Sequence, residues 1–150
     1  MKKLIWTLAT ITLFSNVSAF SQTTVVAKSN NQELLASVSG KSNGQISKEE
    51  LIKASELKLI GKTSSNYHIT SFKATFICRD AKALWADDRF KTDEFGNPEL
   101  TSSDDKITTL MKKAMAKLSN GCKVYFEFVK AENKNKEEVT LPPIEFTISK

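Results

Sequence analysis

Residues 68–78 alternate without a break: His68, Thr70, Phe72, Ala74, Phe76 and Cys78 fall on one side, and Ile69, Ser71, Lys73, Thr75 and Ile77 on the other. A period of two is the signature of a β-strand, and the side that carries the phenylalanines is the one expected to face a core. Residues 122–130 repeat the pattern, with Cys122, Val124, Phe126 and Phe128 on the inward phase and Lys123, Tyr125, Glu127 and Val129 on the other. Glu127 therefore shares its side with Lys123 and Tyr125. A lysine or threonine on the neighbouring strand is the expected partner for its carboxylate.

Between the two strands the period changes to that of a helix. Over 103–118, Ile107, Leu110, Met111, Ala114, Met115 and Leu118 form one apolar stripe. Ser102 or Ser103 is placed to cap it, Asp104 and Asp105 would sit in its first turn, where the helix dipole favours carboxylates, and Asn120-Gly121 supplies a stop. Shorter elements flank this centre. Leu34, Ala36 and Val38 alternate as a short strand that ends in the glycine-bearing turn 40–44, and Ser47 with Glu50 has the spacing of a capping box for a short helix over 48–55. Residues 57–60 fit either an extension of that helix or a strand. After a charged hairpin at 133–138, Leu141-Pro142-Pro143 leads into a closing strand marked by Ile144, Phe146 and Ile148, the prolines favouring an edge or a strand start. The fold class that follows is mainly β with helix, an α+β arrangement: a small antiparallel sheet or sandwich with one main amphipathic helix packed on it.

The N-terminus reads differently. Lys2 and Lys3 precede an uncharged apolar stretch, residues 4–14, and Val17-Ser18-Ala19 supplies small residues at a cleavage position. The stretch is well short of the roughly 20 residues that a spanning helix needs. We expect a Sec signal peptide over 1–19 cleaved near Ala19, a flexible lead over 20–32 rich in Ser, Thr, Asn and Gln, and a single domain over 33–150. No later segment is apolar enough to span a bilayer, so the expected location is the periplasm or the exterior. Of the 22 basic side chains two leave with the signal, against 17 acidic ones. The residual charge is too mild to indicate a nucleic-acid partner.

The two cysteines, Cys78 and Cys122, enter an oxidising compartment on this reading. One closes its strand and the other opens its own, so antiparallel pairing would bring them within reach of a disulfide worth on the order of 4 kcal/mol for a loop of this length. Two buried thiols are the alternative.

Motifs for chemistry are sparse. His68 is the only histidine, without the companions of a zinc site or a nucleophilic triad, and the cysteines are too far apart for a Cys-x-x-Cys centre. Asp87, Asp88, Asp93 and Glu94 form the one acidic cluster outside a helix start, without the ligand spacing of a calcium loop. We therefore expect no catalytic residue, metal or cofactor. Two features suit binding. Lys106, Lys112, Lys113 and Lys117 lie away from the apolar stripe as a basic face, which is either a solvated helix surface or a site for an acidic partner or anionic surface. Leu84, Trp85, Phe90 and Phe95 are apolar residues in an otherwise charged stretch, either interface anchors or a lid over the core.

Several stretches occur in the order found in a known module: Ser39-Gly40 with Gln45-Ile46-Ser47-Lys48, Ile69-Thr70-Ser71-Phe72, the helix running into Leu118-Ser119-Asn120-Gly121-Cys122-Lys123-Val124-Tyr125-Phe126-Glu127, and Leu141-Pro142-Pro143-Ile144. Over roughly 37–150 the chain resembles the C-terminal periplasmic domain of the GldM/PorM family of gliding motility and type IX secretion. The resemblance implies a mainly β, non-catalytic domain that works by contact with other envelope proteins. The chain departs from that family in its cleavable signal and over 79–100. That segment is where we place individual specificity, and it would also serve the alternative reading of a small secreted enzyme or enzyme inhibitor.

Overall fold

The two alternating runs become the longest strands of the structure, a computed structural model that describes residues 34–86 and 90–150. The expected signal peptide and lead, 1–19 and 20–32, lie outside the described residues. The chain runs β1 (Leu35–Ser37), β2 (Gly44–Ser47), α1 (Lys48–Lys53), β3 (Lys58–Ile60), β4 (Tyr67–Ile77), α2 (Ala81–Leu84), β5 (Glu99–Ser102), α3 (Thr109–Lys117), β6 (Lys123–Asn133), β7 (Glu138–Thr140) and β8 (Ile144–Ser149). The main sheet has the order β2-β8-β6-β4-β5, with β7 joined to the far end of β6, and β1 pairs β3 as a separate ladder. All pairings are antiparallel except that of β2 with β8. The architecture is the mainly β fold with one main helix that the periodicity indicated.

One side of the sheet is apolar. Phe72 and Phe126 meet edge to face at 5.8 Å between ring centroids, and Phe126 meets Phe146 in the same way at 6.5 Å, so β4, β6 and β8 are joined by one aromatic row. Met111, Ala114, Met115 and Leu118 of α3 and its C-cap close over the core, with Leu51 of α1 beside them. Each fully buried phenylalanine is worth about 1.5–3 kcal/mol of transfer free energy. Cys78, directly after β4, and Cys122, directly before β6, form the disulfide, with Cα atoms 4.6 Å apart. It ties together the ends of the two longest strands.

Three expectations need correction. The helix begins at Thr109 rather than near Ser103. Residues 105–107 are instead drawn alongside 55–57, with Leu57 N–H donating to Asp105 O at 2.8 Å and Ile107 N–H to Ser55 O at 2.9 Å. Asp104 takes Ser102 Oγ–H and Lys106 N–H in a local turn, and Thr108 caps the helix by accepting Met111 N–H at 3.2 Å. The two aspartates therefore owe nothing to the helix dipole.

The other two corrections share one cause. Along β4 and β6 the register runs Ile69↔Ala131, Ser71↔Lys130, Lys73↔Glu127. β4 inserts one extra residue in the first interval and β6 one in the second, so each strand exchanges its faces once and the pairing returns to its original register. On β4 the inward residue is Ile69 before the irregularity and Phe72, Ala74 and Phe76 after it; on β6 it is Val124 and Phe126, then Val129 and Ala131. His68, expected inward, is exposed. Phe128, also expected inward, is 64% exposed and has a φ of 51°, left-handed backbone that a bulky residue rarely adopts. The strand beside it explains the break. Leu141 N–H still donates to Val129 O at 2.8 Å and pairing resumes at Phe126↔Ile144. Pro142 and Pro143, which lie between, have no N–H to give.

The strain is open to a direct test. Phe128→Val should lower the unfolding free energy by about 1–2 kcal/mol, because a β-branched side chain suffers most at positive φ, whereas Phe128→Gly should stay within about 1 kcal/mol of the parent. Urea unfolding of the three proteins measures the difference; equal losses for both would mean that Phe128 does not hold this conformation.

Candidate binding surface

The face of the main sheet turned away from the core is polar, and its charges partner one another. Thr75 Oγ–H donates to Glu127 Oε2 at 3.0 Å, and Lys73 Nζ lies 3.4 Å from the same oxygen and 2.6 Å from Glu99 Oε1. Glu127 thus has both the lysine and the threonine expected for it, from β4. The hydrogen bond to Glu99, with the Glu127 charge nearby, holds the Lys73 ammonium above the usual lysine range despite its partial desolvation. Further along, Lys123 Nζ donates to Glu145 at 2.6 Å and holds that carboxyl below its usual range. Lys130 and Glu138 pair at 2.9 Å.

Set among these charges are the exposed apolar groups. Phe128 rises beside Lys73, whose ammonium lies 5.1 Å from the ring centroid, a cation–π contact. Ile77, 39% exposed, ends β4 on the same face. It lines a shallow cleft of about 510 Å³ with Cys78, Arg79, Asp80, Ala81, Phe95 and Asn97. Phe95, at 68%, is the most exposed of the large hydrophobic side chains among the described residues. A second cleft of about 620 Å³ shares Cys78, Arg79 and Asp80 and is completed by Leu84 and residues 119–122.

The residues singled out in the sequence separate into distinct environments. Trp85 and Phe90, 4% and 7% exposed, are core: Trp85 packs against Phe76 at 6.2 Å and Phe90 at 5.6 Å, and Lys117 Nζ lies 5.4 Å from the Phe90 centroid. They form the lid, not exposed anchors, because their rings complete the apolar surface at the end of β4. Leu84 is half-buried against the core, and only Phe95 of the four stands clear. The basic face does not form one patch. Lys106 lies before the helix and is held by Glu56 and Asp105; Lys117 covers Phe90; Lys112 is half-buried and Lys113 exposed on α3.

The acidic stretch behaves as a turn. Asp93 accepts Phe95 N–H at 2.9 Å, Asn97 N–H at 2.8 Å and Asn97 Nδ2–H at 3.1 Å, closing the loop that presents Phe95. Desolvation opposes its ionisation, but the hydrogen bonds from Asn97, Phe95 and Gly96 outweigh that and hold the carboxyl below its usual range. Glu94 is exposed, and Asp87 and Asp88 lie outside the described residues. His68 Nε2 is 4.0 Å from Glu132. Among the described residues no group of three or more His, Cys, Asp and Glu side chains is placed to hold a metal ion, and no helix is long and apolar enough to cross a membrane.

Phe128 and Ile77 were assigned to no site by periodicity. The signal for Phe128 was present: apolar residues occupy even positions 124, 126 and 128 and then odd positions 129 and 131, a change of phase that requires an irregularity near 128. No protein-family model matches the chain, and no curated protein matches it.

Because its folded pKa lies below its unfolded one, Asp93 stabilises the fold fully above about pH 4 and loses that contribution as pH falls through the folded value. Asp93→Asn should therefore reduce stability at neutral pH and show a shallower fall on acidification. Urea midpoints of both proteins at neutral and acid pH provide the check; parallel profiles would mean that the turn does not depend on the charge.

Proposed function

We propose that the chain is a non-catalytic, exported protein-binding module of the cell envelope that acts as the C-terminal domain of the GldM/PorM family does, by surface contact with other envelope proteins. The observation that carries this reading is the placement of Phe128, Ile77 and Phe95. Large apolar side chains stand out along one sheet face and its end, among charges held in ion pairs with one another. Exposed aromatics on a rigid scaffold are the usual anchors of interfaces. The disulfide suits an oxidising compartment, and the order of sequence motifs supports the family likeness. Asp93 weighs against a carboxylate hydrolase on 79–100, because its oxygens are committed to the backbone of their own turn.

The surface is testable by site-specific photo-crosslinking in the producing cells. With a photoreactive residue at 95 or 128, discrete adducts with envelope proteins are expected, and with one at 113 on α3 none. Adducts from 113 alone would move the surface to the helix layer. Their absence from all three positions would contradict the binding reading.

A further inference from the structure

The open sheet face has a local charge imbalance beside its exposed ring. Lys130 with Glu138 and Lys123 with Glu145 pair one to one, but Lys73 stands against two carboxylates, Glu99 and Glu127. One negative charge is thus in excess beside Phe128. Glu127 accepts from Thr75 and lies near Lys73, yet its side chain is 34% exposed. A carboxylate offers about four acceptor positions, so it retains capacity toward solvent. Phe128 already shows what its ring attracts, since Lys73 sits 5.1 Å from its centroid, and the residue, 64% exposed, remains open to solvent beside that contact. The backbone holds it there at a φ that glycine or asparagine would adopt more easily.

We infer that this face receives an arginine of the partner protein, its guanidinium stacked on the Phe128 ring and forked toward Glu127. The inference rests on the binding-module reading and names the chemistry of the partner. Arginine fits better than lysine because its planar guanidinium stacks on an aromatic ring and presents paired N–H donors to a carboxylate in the same plane. An acidic partner segment would meet the excess carboxylate and be repelled.

The test uses the isotope-labelled mature domain, with its disulfide intact, titrated with the short peptide acetyl-Thr-Arg-Thr-amide and with its lysine and glutamate counterparts. Amide shifts should concentrate at Lys73, at Thr101, its partner across β4 and β5, and at Glu127 and Phe128, with the lysine peptide weaker and the glutamate peptide inert. Phe128→Gly, which suits the backbone, should weaken the arginine peptide about fivefold, and Glu127→Gln, which can still accept from Thr75, about threefold. Raising the salt should weaken binding further. No shifts on this face, or affinities unchanged by both substitutions, would overturn the inference. So would binding of a neutral oligosaccharide such as chitotriose at these residues without the arginine peptide. Crosslinks from position 128 without arginine binding would remove this inference alone; absence of crosslinks from all three positions, 95, 113 and 128, would remove the binding reading as well.

Discussion

Pairing of β4 with β6 brings two eleven-residue strands together, and both exchange their faces part-way along. Had only one strand carried an extra residue, every side chain beyond it would face the wrong side and the aromatic row of Phe72, Phe126 and Phe146 could not form. The two insertions cancel, and the core continues from Val129 and Ala131 to Val124 and Phe126 without interruption. The disulfide between Cys78 and Cys122 clamps the same pair of strands at one end. The helices and the outer strands pack on this frame.

The irregularity also connects fold to function. Two prolines opposite β6 leave its middle without the usual donors, the backbone turns left-handed at Phe128, and a residue in core phase by periodicity is delivered to the solvent face. There it meets Lys73, which Glu99 and Glu127 hold in place. The Glu127 carboxylate is thus part of the scaffold through Thr75 and Lys73, the partner types expected for it on the polar face, and part of the surface through its exposed edge. The Asp93 turn acts similarly for Phe95, fixing a loop whose tip is apolar.

Much of the architecture was legible because period-two runs and the stripe of Ile107 to Leu118 report burial directly. The places of the two cysteines on their strands brought a disulfide within reach, with two buried thiols as the alternative, and the structure has the disulfide. The start of α3 was not legible, since the pairing of 105–107 with 55–57 is a tertiary contact that overrides a plausible local cap. Trp85 and Phe90 could not be assigned because an apolar residue among charges suits a lid and an anchor equally; only the packing on Phe76 decides it. His68 and Phe128 were misassigned by extending one alternation through a bulge, although the phase change at Phe128-Val129 was visible in the residues themselves.

The arrangement stands or falls on which of two neighbouring side chains faces water. Solvent paramagnetic relaxation, measured on the side-chain protons of the folded protein, separates them: the Phe128 ring should be strongly relaxed, the Val129 methyl groups protected, and the Phe128 ring should show nuclear Overhauser contacts to the Lys73 methylenes. A protected Phe128 with an exposed Val129 would mean unbroken alternation along β6, and the surface described around Phe128 would not exist.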